Sequence, residues 1–284
     1  GLIEGDTRLL KPEDFDGILT RGGTILGTSR EKPFKPTPGE TDSKAGRNKV
    51  DQIIENYERL GMDCLVVLGG NGTHKTAHRL SEAGLNVIGL PKTIDNDIWG
   101  TDVTFGFHSA VDIATEAIDR LHSTAHSHNR VMVIEVMGHK AGWLGLYSGV
   151  AGGGDIILLP EIPYSIDSIV NHLWKRQSQG KDFSIVVVAE GVRPQSDSEK
   201  KPKKKKKSAD SGQSVAYNVA QEIEERSGLE TRVTVLGHQQ RGGAPSAYDR
   251  LLATQFGTTA AELLADGRFG MMVAQEGTKV IPRP

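Results

Sequence analysis

The chain alternates short apolar runs with longer amphipathic stretches. The runs are 64–68, 87–90, 131–136, 156–159, 184–188 and 233–236. Most are continuously apolar rather than alternating, the pattern of strands buried on both faces of a sheet. They stop at turn-forming or polar residues: Gly69-Gly70, Pro91, Met137-Gly138, Pro160, Ala189-Glu190-Gly191 and Gly237-His238. Between them, 45–61, 74–84, 108–124, 165–178, 214–227 and 247–265 carry apolar residues at helical spacing. Strand and helix in regular succession predict an α/β fold with a mostly parallel sheet covered on both sides. In such sheets ligands bind beyond the carboxyl ends of the strands, where the glycine-rich and polar motifs of this chain fall. Residues 193–213 break the pattern. Lys200, Lys201 and Lys203 to Lys207 lie among Ser, Asp, Pro and Gln with no apolar face, which reads as a surface insertion.

Composition narrows the classes. At roughly 100–200 residues per domain, 284 residues make one large or two medium domains. With 34 basic and 36 acidic residues the net charge is −2, which excludes a generally basic nucleic-acid binder and an acidic disordered chain. The single cysteine, Cys64, excludes a disulfide framework and a multi-cysteine zinc site. No apolar run reaches the ~18 residues of a membrane-spanning helix. Glycine is in excess, 34 of 284 residues against a usual ~7%. The excess suggests backbone that approaches a ligand closely.

Five motifs carry candidate chemistry. Pro91-Lys92-Thr93-Ile94-Asp95-Asn96-Asp97 follows a strand and reads either as a reactive polar loop or as a turn rich in side-chain hydrogen bonds. Gly69-Gly70-Asn71-Gly72-Thr73 lies between a strand and a helix starting near His74, where backbone N–H groups can meet a phosphate. Arg21-Gly22-Gly23-Thr24-Ile25-Leu26-Gly27-Thr28-Ser29-Arg30 joins hydroxyls to an arginine suited to phosphate. Ser127-His128-Asn129-Arg130 precedes one strand, and Met137-Gly138-His139 follows it. Glu230-Thr231-Arg232 and Gly237-His238-Gln239-Gln240-Arg241-Gly242-Gly243 flank another. Any one arginine reads as a surface or structural ion pair; four beside strand ends and glycine turns suggest two phosphorylated ligands.

The ordered set of these motifs, with Gly-Thr-Asp-x-Thr-x-Gly-Phe and Glu-Val-Met-Gly, resembles the 6-phosphofructokinases from about Gly1 to the last residues, apart from the lysine insertion. The resemblance implies two similar three-layer α/β/α domains with mostly parallel sheets and the active site in the cleft between them. Residues 1–106 and 240–284 would bind the phosphoryl donor, and 107–239 fructose 6-phosphate. It implies a cytoplasmic enzyme of glycolysis that uses ATP and Mg2+. Asp95 would be the base that takes the proton of the sugar 1-hydroxyl. Thr93 would contact the sugar beside it, with Lys92 in the same catalytic loop and Arg30 bridging the donor phosphates. Gly69, Gly70, Asn71, Gly72 and Thr73 match the donor loop, and Asn71 and Asp97 the metal position. Asp97, Gly138 and His139 fall in the acceptor site, and Met137, Glu190, Arg232, His238 and Arg241 match the sugar-phosphate pocket. Arg130, and with it Arg232, would reach across from a neighbouring subunit, which implies a homotetramer or homodimer.

Some positions depart from the family's usual residues. Asn71 stands where an acidic residue linked to Mg2+ is usual, which weakens metal binding or marks a regulatory subunit. His139 replaces an arginine that supports the transferring phosphate. His122 replaces an effector-site arginine. Gly72 leaves room for the α-phosphate of ATP, whereas Lys92 is typical of pyrophosphate enzymes; Gly72 weighs more heavily, so ATP is the expected donor and pyrophosphate the alternative. A NAD kinase, suggested by Gly-Gly-Asn-Gly-Thr alone, does not account for the other motifs. The family carries a first strand and a further phosphate loop ahead of the position of Gly1, so the chain is expected to be truncated at both ends.

Overall fold

A computed structural model of the chain describes residues 1–29, 31–34, 45–195 and 214–284. Arg30 and most of the lysine insertion therefore lie outside the described residues. In chain order the helices and strands are α1 (Ala45–Arg59), β1 (Leu65–Gly69), α2 (Asn71–Glu82), β2 (Val87–Pro91), α3 (Phe107–His128), β3 (Val131–Val136), α4 (Trp143–Ala151), β4 (Ile156–Leu158), α5 (Ile166–Ser178), β5 (Ser184–Ala189), α6 (Val215–Ser227), β6 (Thr231–Val235), α7 (Ala247–Ala265), β7 (Met271–Glu276) and β8 (Lys279–Arg283). The chain folds into two units. The first holds 1–93, 97–105 and 247–284; the second holds 94–96 and 106–246, so it runs to Ser246 rather than ending at 239.

In the second unit four strands lie in the order β4-β5-β3-β6, all parallel. Successive side chains of a strand point to opposite faces, and here both faces are covered. Val131, Val133, Val186 and Val188 pack with Ile169 and Leu173 of α5 and Val219 and Ile223 of α6. Met132, Ile134, Val136, Ile185 and Val187 pack with Ala114, Ile118 and Ala125 of α3. This explains the continuous apolar runs of β3 and β5 and gives the expected three layers. Burying each of these large side chains contributes about 1.5–3 kcal/mol. Strand β3 also brings a carboxylate into this core. Glu135 is buried, and its carboxylate accepts from Ser214 Oγ and from Ala216 N at 2.9 Å, capping the start of α6. On the other side of the lysine insertion, Gln195 N donates to Tyr164 O at 2.8 Å.

In the first unit the order is β1-β2-β7-β8, parallel except for the antiparallel β7–β8 pair. Leu65, Val67 and Val87 pack with Ile53 of α1 and Ala77 and Leu80 of α2. Helix α7 packs on β2, β7 and β8, and its Phe256 meets Phe105 edge-on with ring centroids 6.1 Å apart. Strand β1 departs from the expected burial on both faces. It lies at the sheet edge, and Val66 and Leu68 are 40% and 39% exposed.

Two elements escape the sequence pattern. Helix α4 is apolar nearly all round and contains Gly145 and Gly149, so it shows no amphipathic period. The glycines bring it down onto the sheet: a Cβ at Gly149 would lie 2.9 Å from the Ile157 side chain. The β7–β8 hairpin turns at Gly277, which has φ +59°. Part of the glycine excess is thus packing rather than ligand contact. Among the described residues, no helix is long and apolar enough to cross a membrane.

Candidate active site

The donor motifs fall in the first unit. Helix α2 begins at Asn71, not near His74, so the glycine-rich stretch is a strand end, a cap and a first helical turn rather than a loop. Gly69 ends β1, and a Cβ there would lie 2.3 Å from Thr73 Oγ1. Gly70 is the N-cap, with no side chain to satisfy the turn. The carbonyl of Gly70 accepts from the N–H of Thr73 at 2.9 Å and of His74 at 3.1 Å. The amides of Asn71 and Gly72 sit where a helix offers no internal acceptor, and the helix dipole adds positive potential. Gly72 is exposed, its φ is not in the left-handed region, and a Cβ there would meet nothing within 4 Å among the described residues. Neither packing nor backbone conformation therefore demands glycine at this position.

His74 lies over the adjoining strand. A Cβ at Gly89 would approach its ring to 2.8 Å, and its Nε2 is buried without a partner among the described residues. Burial pushes its pKa down, opposed by hydrogen bonding with the backbone of Leu90 and Gly69.

The Lys92–Asp97 loop leaves the end of β2 with Lys92 N donating to Gly69 O at 3.0 Å. Thr93 is held by a residue the motif reading left without a role: buried Thr104 donates its hydroxyl to Thr93 O at 2.7 Å. The signal was present, since Thr104 is the second threonine of Gly-Thr-Asp-x-Thr-x-Gly-Phe. That segment is tied to the unexpected hairpin by Asp102 N to Gln275 O at 2.9 Å and Gly277 N to Asp102 Oδ2 at 2.6 Å. Asn96 adopts φ +51°, a left-handed conformation that asparagine tolerates. Asn71 Nδ2 donates to Asp97 O at 3.0 Å and Asp97 Oδ2 at 3.2 Å, so the expected metal pair is in contact. Thr93 and Asp97 belong to the first unit and Asp95 to the second.

In the second unit Met137, Gly138, His139 and Glu190 gather at the carboxyl ends of β3 and β5. Gly138 has φ +136° and His139 φ +54°. His139 N donates to Glu190 Oε1 at 2.5 Å. Next to that carboxylate, a Cβ at Gly191 would lie 2.3 Å from His139 O, so the turn closes on bare backbone. His238 and Arg241 lie on the 3-10 turn Gly237–Arg241 that follows β6, and both are exposed.

Arg130 and Arg232 are not with this group. Arg130 precedes β3 and Arg232 is the second residue of β6, at the amino ends of the strands. Arg130 lies seven residues from Met137 along an extended chain, roughly 23 Å at about 3.3 Å per residue. Both arginines converge on Glu230, another residue with no role in the sequence reading. Arg130 Nη2 lies 2.9 Å from Glu230 Oε1, and Arg232 pairs with the same oxygen. The Arg130 hydrogen bond holds the Glu230 carboxyl below the usual carboxylate range. His122 Nε2 lies 2.6 Å from Gly152 O. Arg30 cannot be placed in the donor half, because it lies outside the described residues.

The phosphofructokinase family model matches residues 1–264. An ATP-dependent 6-phosphofructokinase of Spirochaeta thermophila is 72% identical over 286 residues, an alignment covering 100% of this chain and 78% of the relative. A pyrophosphate–fructose 6-phosphate 1-phosphotransferase of Amycolatopsis mediterranei is 47% identical, covering 99% of this chain and 80% of the relative. Among solved structures, phosphofructokinase from Saccharomyces cerevisiae superposes with a TM-score of 0.82 at 32% identity, over 100% of this chain. The chain spans 38% of the length of that yeast chain.

Proposed function

Because the chain belongs to the phosphofructokinase family, we propose that it transfers the terminal phosphoryl group of ATP to the 1-hydroxyl of D-fructose 6-phosphate. The products are fructose 1,6-bisphosphate and ADP, the phosphorylation step of glycolysis, which the proposal sets in the cytoplasm. The observation that carries the choice of donor is the open space at Gly72. A glycine that neither packing nor backbone geometry requires leaves the first turn of α2 bare beside two amides directed at an anion.

In the proposed reaction Asp95 accepts the proton of the 1-hydroxyl as its oxygen bonds to the γ-phosphorus. The bond from that phosphorus to the β–γ bridging oxygen breaks, ADP leaves, and Asp95 returns its proton to solvent. A positioned base supplies about 10²–10⁴-fold. The rest comes from orientation and charge stabilisation, the main resources of phosphoryl transfer. Thr93, fixed through Thr104, contacts the sugar. Lys92 and the amides of Asn71 and Gly72 take the donor phosphates, with Gly69, Gly70 and Thr73 shaping that turn and Arg30 assigned to the same phosphates by its motif. Met137, Gly138, His139, Glu190, His238 and Arg241 form the sugar-phosphate end.

Mg2+ binds through one or two carboxylates plus substrate phosphates. The contacting pair of Asp97, which supplies the charge, and Asn71, which supplies a neutral amide, fits that donor set. When bound, the ion neutralises charge on the donor phosphates. Arg130 and Arg232, at the far ends of the strands from Met137, support a self-associated enzyme in which a neighbouring copy presents them. The alternative donor, pyrophosphate, is favoured by Lys92.

A coupled assay of fructose 1,6-bisphosphate formation with ATP and, separately, pyrophosphate tests the proposal. Turnover with pyrophosphate alone would overturn the donor, and no turnover with either would overturn the reaction.

A further inference from the structure

We infer that Gln240 is a positioning residue for the sugar-phosphate end of the site, setting the register between two loops that each carry binding groups. The inference rests on the reading of that end given above. Gln240 is 1% exposed, among the described residues the least exposed of the buried polar side chains after the hydroxyls of Thr104 and Ser148. Its Oε1 accepts from Met137 N at 3.1 Å, and its Nε2 donates to Gly237 O at 3.0 Å. Met137 opens the Met137-Gly138-His139 turn after β3. Gly237 opens the turn that carries His238 and Arg241.

The backbone explains why a side chain is needed there. Strands β3 and β6 pair from Val131↔Thr231 to Glu135↔Val235, and the last backbone bond runs from Leu236 N to Glu135 O at 3.1 Å. In a continued parallel ladder Met137 N would donate next to the carbonyl of Leu236. Leu236 has instead turned helical, with φ −69° and ψ −36°, to start the 3-10 turn. Its carbonyl leaves the ladder, and the Gln240 amide takes the vacated place, reaching back from one turn further on. An N–H drawn away from water must find an acceptor, and this part-buried one finds Gln240, so the clamp holds both loops while β6 departs from the sheet to present His238 and Arg241.

The position requires one acceptor and one donor on a planar group of this length. Leucine matches the bulk and offers neither. Glutamate, when ionised, offers two acceptors and sets one of them against Gly237 O. When protonated it offers one of each, as the amide does.

The test compares wild type, Gln240→Leu and Gln240→Glu in the full chain. The Leu variant is expected to raise the KM for fructose 6-phosphate by roughly ten-fold while kcat and the KM for ATP stay within about two-fold. The Glu variant should show the same defect at pH 8 and recover toward wild type, measured at each pH, as the acid is protonated. Amide exchange at Met137 should quicken in both variants at pH 8, and this readout needs no turnover. If wild type turns over no fructose 6-phosphate, the functional reading fails, and unchanged Met137 exchange would then still refute the clamp. With an active wild type, an unaltered sugar KM in the variants would overturn the inference, as would a loss confined to kcat. If the Leu variant does not fold, the pH recovery of the Glu variant decides: recovery supports the clamp and its absence refutes it.

Discussion

Replacing Gly72 by aspartate separates what the fold needs from what the donor needs. Gly72 is the second residue of α2, exposed, with open space where its Cβ would be. Glycine in a helix costs about 0.5–1 kcal/mol relative to alanine. Aspartate is a modest helix former, but in the first turn its charge gains about 0.3–1 kcal/mol from the helix dipole. The variant should therefore be no less stable, and a gain of about 1 kcal/mol would raise Tm by roughly 2–4 °C. The effect on ATP has the opposite sign. A carboxylate about 4 Å from one phosphate charge is repelled by about 1 kcal/mol in bulk water and about 4 kcal/mol at the effective dielectric of a protein surface. That range corresponds to a roughly 5- to 1000-fold loss of kcat/KM for ATP. The assay is kcat/KM for ATP at saturating fructose 6-phosphate, beside a thermal melt, with Gly72→Ala as the uncharged control. Alanine should raise Tm and lose less ATP activity than aspartate. A folded Gly72→Asp protein with ATP kcat/KM within about two-fold of wild type would refute the reasoning. So would a melt several degrees lower, because the glycine would then be structural.

Three further outcomes are expected. Asp95→Asn should lower kcat by about 10²–10⁴-fold with fructose 6-phosphate binding retained by calorimetry; near-normal kcat removes the base assignment. Asn71→Asp sets a second carboxylate against Asp97, so the protein should melt lower without Mg2+ and gain more from it than wild type does; equal Mg2+-induced shifts in Tm would count against the metal pair. His74, whose folded pKa is lowered by burial, contributes stability that is fully present above its unfolded value of about 6.5. That contribution is lost as pH falls toward the folded pKa, because the unfolded chain takes up the proton first. The melt should fall below about pH 6.5, and His74→Gln should flatten that slope; an identical slope in the variant excludes His74 as its source.

The strands of the second unit were legible because they are covered on both faces, so that Val131 to Val136 and Ser184 to Ala189 contain little that is polar. Helix α7 was equally plain. Helix α4 was not, because Trp143–Ala151 is mostly apolar and its glycines resemble loop residues; only the Ile157 side chain beneath Gly149 shows why they belong to a helix. The hairpin at Gly277 was hidden by its closeness to the end of the chain. At the candidate site, motifs reported which residue types gather but not how they are held. Thr104, Glu230 and Gln240 act through hydrogen bonds or ion pairs with partners 2 to 103 residues away, and no local periodicity marks such pairs. Arg130 and Arg232 carry a related lesson. A parallel sheet has two ends: sequence order put Arg130 and Arg232 ahead of their apolar runs and Met137 and His238 after them, but it did not show that the two arginines share Glu230 as a partner.

The buried Glu135 carboxylate has a practical consequence. It fastens Ser214 and Ala216 near the carboxyl end of β3, while Gln195 is fastened to Tyr164. The fold is therefore gripped on either side of residues 196–213. The entropy of closing a chain between two fixed points rises by only about 0.6 kcal/mol for each doubling of its length. The sequence reads that span as a surface insertion, so a reporter, an affinity tag or a whole domain grafted there would enter and leave the fold at two hydrogen-bonded posts, Gln195 on one side and Ser214 on the other.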